Sequence, residues 1–227
     1  MSTTRTAADT RLVIAVDGAS GSGKSSTSRA VATRLGLRYL DTGAMFRAMT
    51  WWLLRHGVDI HDPEAVAARC GEPEIVSGTD PLHPTIVVDG VDVEDEIRTD
   101  EVNAAVSPVS AVPAVRSRLL ELQRAVIADG GIVVEGRDIG SVVWPQADVK
   151  VFLTADPSAR AQRRAAETGA TDVVATQESL LARDRIDSGR TTAPLTQVDG
   201  AVHIDTTPYT LDQVVDQIVA LVEPGPA

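Results

Sequence analysis

One stretch, Gly18-Ala19-Ser20-Gly21-Ser22-Gly23-Lys24-Ser25, constrains this chain more than any other. It satisfies the spacing G-x-x-x-x-G-K-[ST], and it lies between an apolar run, Leu12-Val13-Ile14-Ala15-Val16, and a stretch with helical spacing over 24–35. The apolar run predicts a strand buried on both faces. Glycines let backbone N–H groups turn inward around phosphate oxygens with no Cβ in the way. The following helix adds unpaired N–H groups and the positive end of its dipole. Lys24 would reach the β- and γ-phosphates of a nucleotide, and the Ser25 hydroxyl would sit on Mg²⁺. Gly18 to Ser26 therefore reads as a nucleotide-phosphate-binding stretch. Residue frequencies give roughly 0.002 chance matches to this spacing over the whole chain.

Three more apolar runs follow, Ile132-Val133-Val134, Val149-Lys150-Val151-Phe152-Leu153 and Ala201-Val202-His203-Ile204. Helices are predicted over 24–35, 43–56, 114–128, 157–168, 176–188 and 210–222. Alternating buried strands and amphipathic helices predict an α/β chain, with a parallel sheet flanked by helices on both faces. The reading gives one domain over 12–223, after a disordered leader (1–11) and before a short tail (224–227). Its core is 12–58 and 107–223, its insert about 59–106 and its lid about 176–195. The insert breaks the rhythm, with a short helix from Pro63 to Ala68 and a tight hairpin around Asp89-Gly90.

Charge follows the same division. The formal net charge is -11 over 227 residues. Residues 59–101 hold thirteen acids against Arg69 and Arg98, which is also -11, so the remainder sums to zero. A neutral body leaves room for a local phosphate site, while DNA or RNA binding through a broad basic face is not expected. The acids of the insert are expected to face solvent. Nineteen of the bases are Arg, and the only Lys residues are Lys24 and Lys150. Cys70 permits no internal disulfide, which suits a reducing compartment. No apolar run approaches the ~20 residues of a membrane helix. The expectation is a cytoplasmic monomer. The four His residues (56, 61, 83 and 203) lack metal-ligand spacing.

The loop alone leaves the use of the nucleotide open, because switches, motors and small-molecule kinases share it. A guanine-reading Asn-Lys-x-Asp is missing, the one Asn being Asn103. An acid at a strand end for Mg²⁺ is offered only by Glu135 or Asp156. Asp41-Thr42-Gly43-Ala44-Met45-Phe46-Arg47 enters a helix where the Thr42 hydroxyl and Arg47 could meet an anion. Glu135-Gly136-Arg137-Asp138 sits at the carboxyl end of a buried strand, where open α/β sheets bind ligands. Arg183-Asp184-Arg185-Ile186-Asp187-Ser188-Gly189-Arg190 ends a helix, and Gly189 would let it bend as a lid.

Together these motifs resemble the bacterial cytidylate kinase family of P-loop nucleoside monophosphate kinases, from about Leu12 to Leu221. Glu94-Asp-Glu-Ile-Arg98, the Ile139-to-Pro145 continuation of the Arg137 motif, and Ala193-Pro194-Leu195 add to the match. The resemblance implies transfer of the γ-phosphate of ATP to CMP or dCMP, giving CDP or dCDP and ADP, with Mg²⁺. It implies that Thr42, Arg47 and Arg137 hold the acceptor near its phosphate, and that Ser107, Arg116 and Asp138 read cytosine. Arg183 and Asp187 would reach the acceptor from the lid, Arg190 the transferring phosphate, and Arg163 the adenine of ATP. Lys24, Arg137, Arg183 and Arg190 would be the catalytic charges. Relatives often carry Asp at position 135 and Ser at position 42, so the longer Glu135 leaves its role open between a Mg²⁺-water contact and a structural partner. Kinases for UMP or shikimate, and a non-catalytic nucleotide-binding module, remain the alternatives.

Overall fold

The structure, a computed structural model, describes residues 11–189 and 195–222, with Thr168 described by its backbone only. The chain divides into two compact units, a body formed by the segments up to Tyr39 and from Gly130 onward, and a unit of Leu40–Asp129.

The body carries the parallel sheet. Its strands are β1 (Val13–Gly18), β6 (Ile132–Gly136), β7 (Val149–Thr154) and β8 (Val202–Asp205), with β2 (Arg38–Asp41) at the edge, in the order β2-β6-β1-β7-β8. The β1–β6, β1–β7 and β7–β8 pairs are all parallel, with Asp17 opposite both Gly136 and Phe152. All six residues of β1 are buried, as a continuous apolar run in a central parallel strand demands. Ile14, Val16, Val133, Val151, Leu153 and Ile204 form one apolar face, covered by α1 (Lys24–Leu35) and α8 (Leu211–Val222). From α1 come Val31 and Ala32; from α8, Val214, Val215, Ile218 and Val219, spaced one turn apart. Removing water from a side chain such as Ile14 contributes about 2 kcal/mol.

Two further helices complete the body. Asp156 caps α6 (Pro157–Thr168) by accepting from Ser158 N–H at 2.8 Å, and Asp172 caps α7 (Val173–Gly189) by accepting from Ala175 N–H at 2.9 Å. Residues Ile139–Val143 form one π-helical turn directly after β6, closed by Trp144 N–H donating to the Ile139 carbonyl at 2.7 Å. Single π-helical turns are frequent at functional sites.

The Leu40–Asp129 unit contains α2 (Thr42–Arg55), α3 (Pro63–Arg69), α4 (Asp100–Ala111), α5 (Pro113–Ile127) and a three-stranded sheet. That sheet, β3 (Ile75–Ser77), β4 (Ile86–Val88) and β5 (Val91–Asp92), is antiparallel. The expected hairpin is there, with Asp89 at φ 50 and Gly90 at φ 81, the two left-handed positions of a twist-matched two-residue turn. Asp89 also accepts from Trp52 Nε1 at 2.7 Å, tying the hairpin to α2. Twelve of the thirteen acids between 59 and 101 are exposed, and Glu94 is half-buried, so the expectation that they face water holds.

Several elements went unread in the sequence. Helix α4 contains Pro108, which argues against a helix when read locally, yet Thr99 caps it and Val102, Ala105, Val106 and Val109 bury one side. Strand β2 is only four residues, and β3 three, too short for periodicity to register.

Candidate active site

The phosphate loop leaves β1 through Gly18, whose φ of 152 and whose place against the Leu153 carbonyl exclude any side chain; a Cβ there would lie 2.2 Å from that oxygen. Beyond it, four loop carbonyls are each held by a donor. The Gly18 carbonyl accepts from Arg137 Nη1 at 3.1 Å, that of Ala19 from Lys24 Nζ at 2.8 Å, and that of Ser20 from Arg160 Nη1 at 3.2 Å. The Ser22 carbonyl accepts from the Thr206 hydroxyl at 3.0 Å. Each carbonyl held this way fixes its peptide plane and turns the next N–H to the opposite side, which is how a backbone cradle for an anion is built. The N-terminus of α1 follows with Gly23 at the cap position, no side-chain cap and no acid in its first turn. Its donors and dipole are thus left to an incoming anion. Lys24 is buried, 7% exposed, so its charge acts in a poorly screened setting.

The acid at the strand end is Glu135. It accepts from the Ser25 hydroxyl at 3.0 Å and from the buried Tyr39 hydroxyl. The alternative, Asp156, is the cap of α6, fully exposed, its carboxyl held below the usual range by the Ser158 hydroxyl and N–H. The Ser25–Glu135 pair offers the hard oxygen ligands that Mg²⁺ takes. Among the described residues no cluster of three His, Cys, Asp or Glu is placed to hold a metal ion.

Asp138 is buried at the start of the π turn, its carbonyl accepting from Val142 and Val143 N–H groups. The sequence reading passed over what holds that turn. Asp17, the last residue before Gly18, is 6% exposed and accepts from Ile139 and Gly140 N–H groups, each at 2.8 Å. Burial pushes its carboxyl up to about 6, and the Asp138 charge adds to this, while the two N–H groups and Lys24 pull the other way. The available signal was an acid inside an otherwise apolar, fully buried strand, a placement that requires partners.

Arg137, Arg160 and Arg163 of the body are each held by named partners. Arg137 Nε donates to Asp187 Oδ2 at 2.8 Å, so two residues expected at the acceptor meet each other. Arg160 donates to Asp184 of α7. Arg163 donates to the Thr206 hydroxyl at 2.8 Å and carbonyl at 2.9 Å, behind the loop at Ser22. Arg183 is half-buried on α7. Arg190, Ala193 and Pro194 lie outside the described residues.

In the Leu40–Asp129 unit, Asp41 caps α2 by accepting from Ala44 N–H at 2.9 Å and holds Arg47 Nη2 at 2.9 Å. Thr42 is buried at the first turn, and Gly43 leaves room for the Arg47 guanidinium, whose Nη1 would lie 3.1 Å from a Cβ there. Buried Ser107 on α4 and Arg116 on α5 are brought together through Ser110. The Ser110 hydroxyl donates to the Ser107 carbonyl at 3.0 Å, and its own carbonyl accepts from Arg116 Nη1 at 3.3 Å. The Arg116 guanidinium lies over the Phe46 ring, its Cζ 5.4 Å from the centroid. In the sequence nothing marks Phe46 apart from its place beside Arg47.

Residues 14–224 match the family model for cytidylate kinase. The chain belongs to the cytidylate kinase family. It is 59% identical over 214 residues to a cytidylate kinase from Streptomyces avermitilis, covering 93% of each chain. It is 57% identical over 225 residues to the cytidylate kinase of Streptomyces griseus, covering 98% of this chain and 97% of that one. An uncharacterized protein from Eubacterium ventriosum shares the fold alone, with a TM-score of 0.51 at 11% identity, covering 94% of this chain and 98% of the other. The P-loop kinase architecture expected from the sequence is therefore the architecture of this chain, and the family is one of kinases.

Proposed function

We propose that this cytidylate kinase family member transfers the γ-phosphate of ATP to CMP or dCMP, releasing ADP and CDP or dCDP. The observation that carries the reading is the set of loop carbonyls held by donors ahead of an uncapped, acid-free helix start beside buried Lys24. That arrangement suits a polyphosphate, and its family supplies the acceptor class. Ser25 and Glu135 would hold Mg²⁺, which when bound would neutralise charge on the phosphate oxygens.

The residues' own part is positioning. Gly18 to Ser26 cradle the ATP phosphates, and Lys24 moves from the Ala19 carbonyl to the bridging oxygens. Arg137 exchanges the Asp187 carboxylate for acceptor phosphate oxygens, while Arg183, Asp187 and Arg190 engage the acceptor and the transferring group. Thr42 and Arg47 take the acceptor phosphate; Ser107, Arg116 and Asp138 read its base. Cytosine offers an amine where uracil offers a carbonyl, so the Asp138 carboxylate would meet a donor in the first and an acceptor in the second. Arg163, held by Thr206 behind the loop, would support the adenine side. No general base is required for such a transfer. We infer a monomer working in a reducing, cytoplasmic setting, in keeping with the lone, buried Cys70. No helix among the described residues is long and apolar enough to cross a membrane.

Incubation with ATP, Mg²⁺ and a panel of acceptors tests the reading. ADP release with CMP and dCMP, and slow release with UMP or shikimate, is expected. Release independent of any acceptor overturns it.

A further inference from the structure

Arg160 stands out among the arginines because it touches both the phosphate loop and α7 while no sequence motif marks it. It is 5% exposed, and its Nη1 donates to the Ser20 carbonyl at 3.2 Å and to Asp184 Oδ2. Its backbone lies directly behind the loop: a Cβ on Gly21, where φ is 75, would approach both Arg160 Cβ and the Arg160 carbonyl to 3.0 Å. The loop's second glycine thus lets the backbone pass against α6, and the guanidinium of the same helix holds the carbonyl one residue earlier.

The pair is not built as a simple stabilising ion pair. Arg160 Nε and Asp184 Oδ1 are both buried without a hydrogen-bond partner among the described residues. A buried pair with unmatched atoms on each side carries an uncompensated desolvation cost, so its net contribution to stability is small or negative. What it secures is geometry, because one nitrogen fixes a loop carbonyl and an α7 carboxylate at once. Asp187, one turn along α7, repeats the pattern with Arg137 and the Gly18 carbonyl. Arg137, however, is assigned above to the acceptor phosphate and must leave its carboxylate.

We propose that Arg160 is a positioning residue that fixes the phosphate loop for ATP, and that its pair with Asp184 is the fixed point about which α7 is held while the Arg137–Asp187 pair opens. The inference rests on the kinase reading for the identity of the nucleotide, and not on the identity of the acceptor. Arg160→Met keeps an unbranched apolar stem but removes every donor, freeing the Ser20 peptide plane. Asp184→Asn keeps Arg160 on Ser20 and removes the charge from α7.

The test uses the full chain, with ATP affinity measured by calorimetry in the absence of acceptor. Acceptor-independent ATP hydrolysis is then compared with transfer to CMP. Arg160→Met is expected to weaken ATP binding about tenfold. Asp184→Asn is expected to leave ATP binding within about threefold and to raise the ratio of hydrolysis to transfer about tenfold, as α7 loses its anchor and water gains access. A purely structural pair would lower the melting temperature of both variants and leave ATP affinity and the hydrolysis ratio of the folded fraction unchanged; that result overturns the proposal. Should Arg160→Met fail to fold, the hydrolysis ratio of Asp184→Asn decides alone. Failure of CMP to accept phosphate from the unaltered protein would sink the acceptor reading while leaving the ATP-affinity arm intact.

Discussion

The body and the Leu40–Asp129 unit place their charge in opposite ways. The body buries Lys24, Arg160, Asp17, Glu135, Asp138 and Asp187 around two strand ends. The other unit carries thirteen acids between 59 and 101, of which twelve are exposed. Buried charge is expensive unless each group has a partner, so it is kept where chemistry requires it. Exposed charge in water costs almost nothing and contributes almost nothing to stability. The contrast explains how a chain of net charge -11 can hold a phosphate site: the negative charge is in solvent and screened, while the positive groups act at short range in a low-dielectric setting.

Breaking the buried side of this contrast should have the largest effect. Lys24→Ala removes the one ammonium at the loop and is expected to lower turnover with every acceptor by about 10³-fold in a coupled ADP-release assay. Retention of more than a tenth of the rate would remove Lys24 from the transfer step.

Asp17 gives the next effect, on stability. Its carboxyl is raised from 3.8 to about 6, so the folded chain binds the proton more tightly than the unfolded chain. For an acid shifted upward, stability is greatest below the unfolded value and declines as pH rises from about 4 to about 6, here by about 3 kcal/mol at most, after which it is flat. Asp17→Asn does not titrate, so urea unfolding across that window should show the unaltered protein losing stability relative to the variant. A difference that stays constant from about pH 4 to pH 7 contradicts the assignment. The charged groups around this carboxyl are Asp138, Lys24 and, beside Gly140, Lys150.

A smaller effect concerns choice of acceptor. Asp138→Ala is expected to erode the preference for CMP over UMP about tenfold, measured as the ratio of kcat/KM values, by removing the acceptor that a cytosine amine meets. An unchanged ratio takes Asp138 out of base reading. Smallest of all, Asp92→Asn combined with Glu101→Gln, both exposed, should alter kcat/KM by less than about twofold. A large loss there would show that the acids of the Leu40–Asp129 unit do more than face water.

Much of the fold was legible because it rests on local patterns. The spans of α1 and α6 agree with the sequence expectation residue for residue, since a helix start after Gly23 and a Pro at the first position of α6 are strong local signals. Helix α4 was illegible because Pro108 opposes it locally and burial of its apolar side overrides that preference. Among the site residues, Lys24 and Ser25 followed from spacing alone. Asp17, Tyr39, Phe46 and Arg160 did not, because each acts through a partner far away in sequence: Ile139 and Gly140, Glu135, Arg116, and the pair Ser20 and Asp184.

The sequence by itself determined the phosphate loop, the parallel order of strands and helices, and the segregation of acid into one stretch. These depend on residue types at fixed short spacings, which the chain carries whatever its neighbours do. Only the tertiary structure decided which acid meets Ser25, which carboxylates hold Arg137 and Arg160, and what supports the turn at Asp138. Those choices depend on strand register and helix packing, which bring groups up to 140 residues apart within hydrogen-bond distance. No local spacing encodes a contact closed over that length of chain.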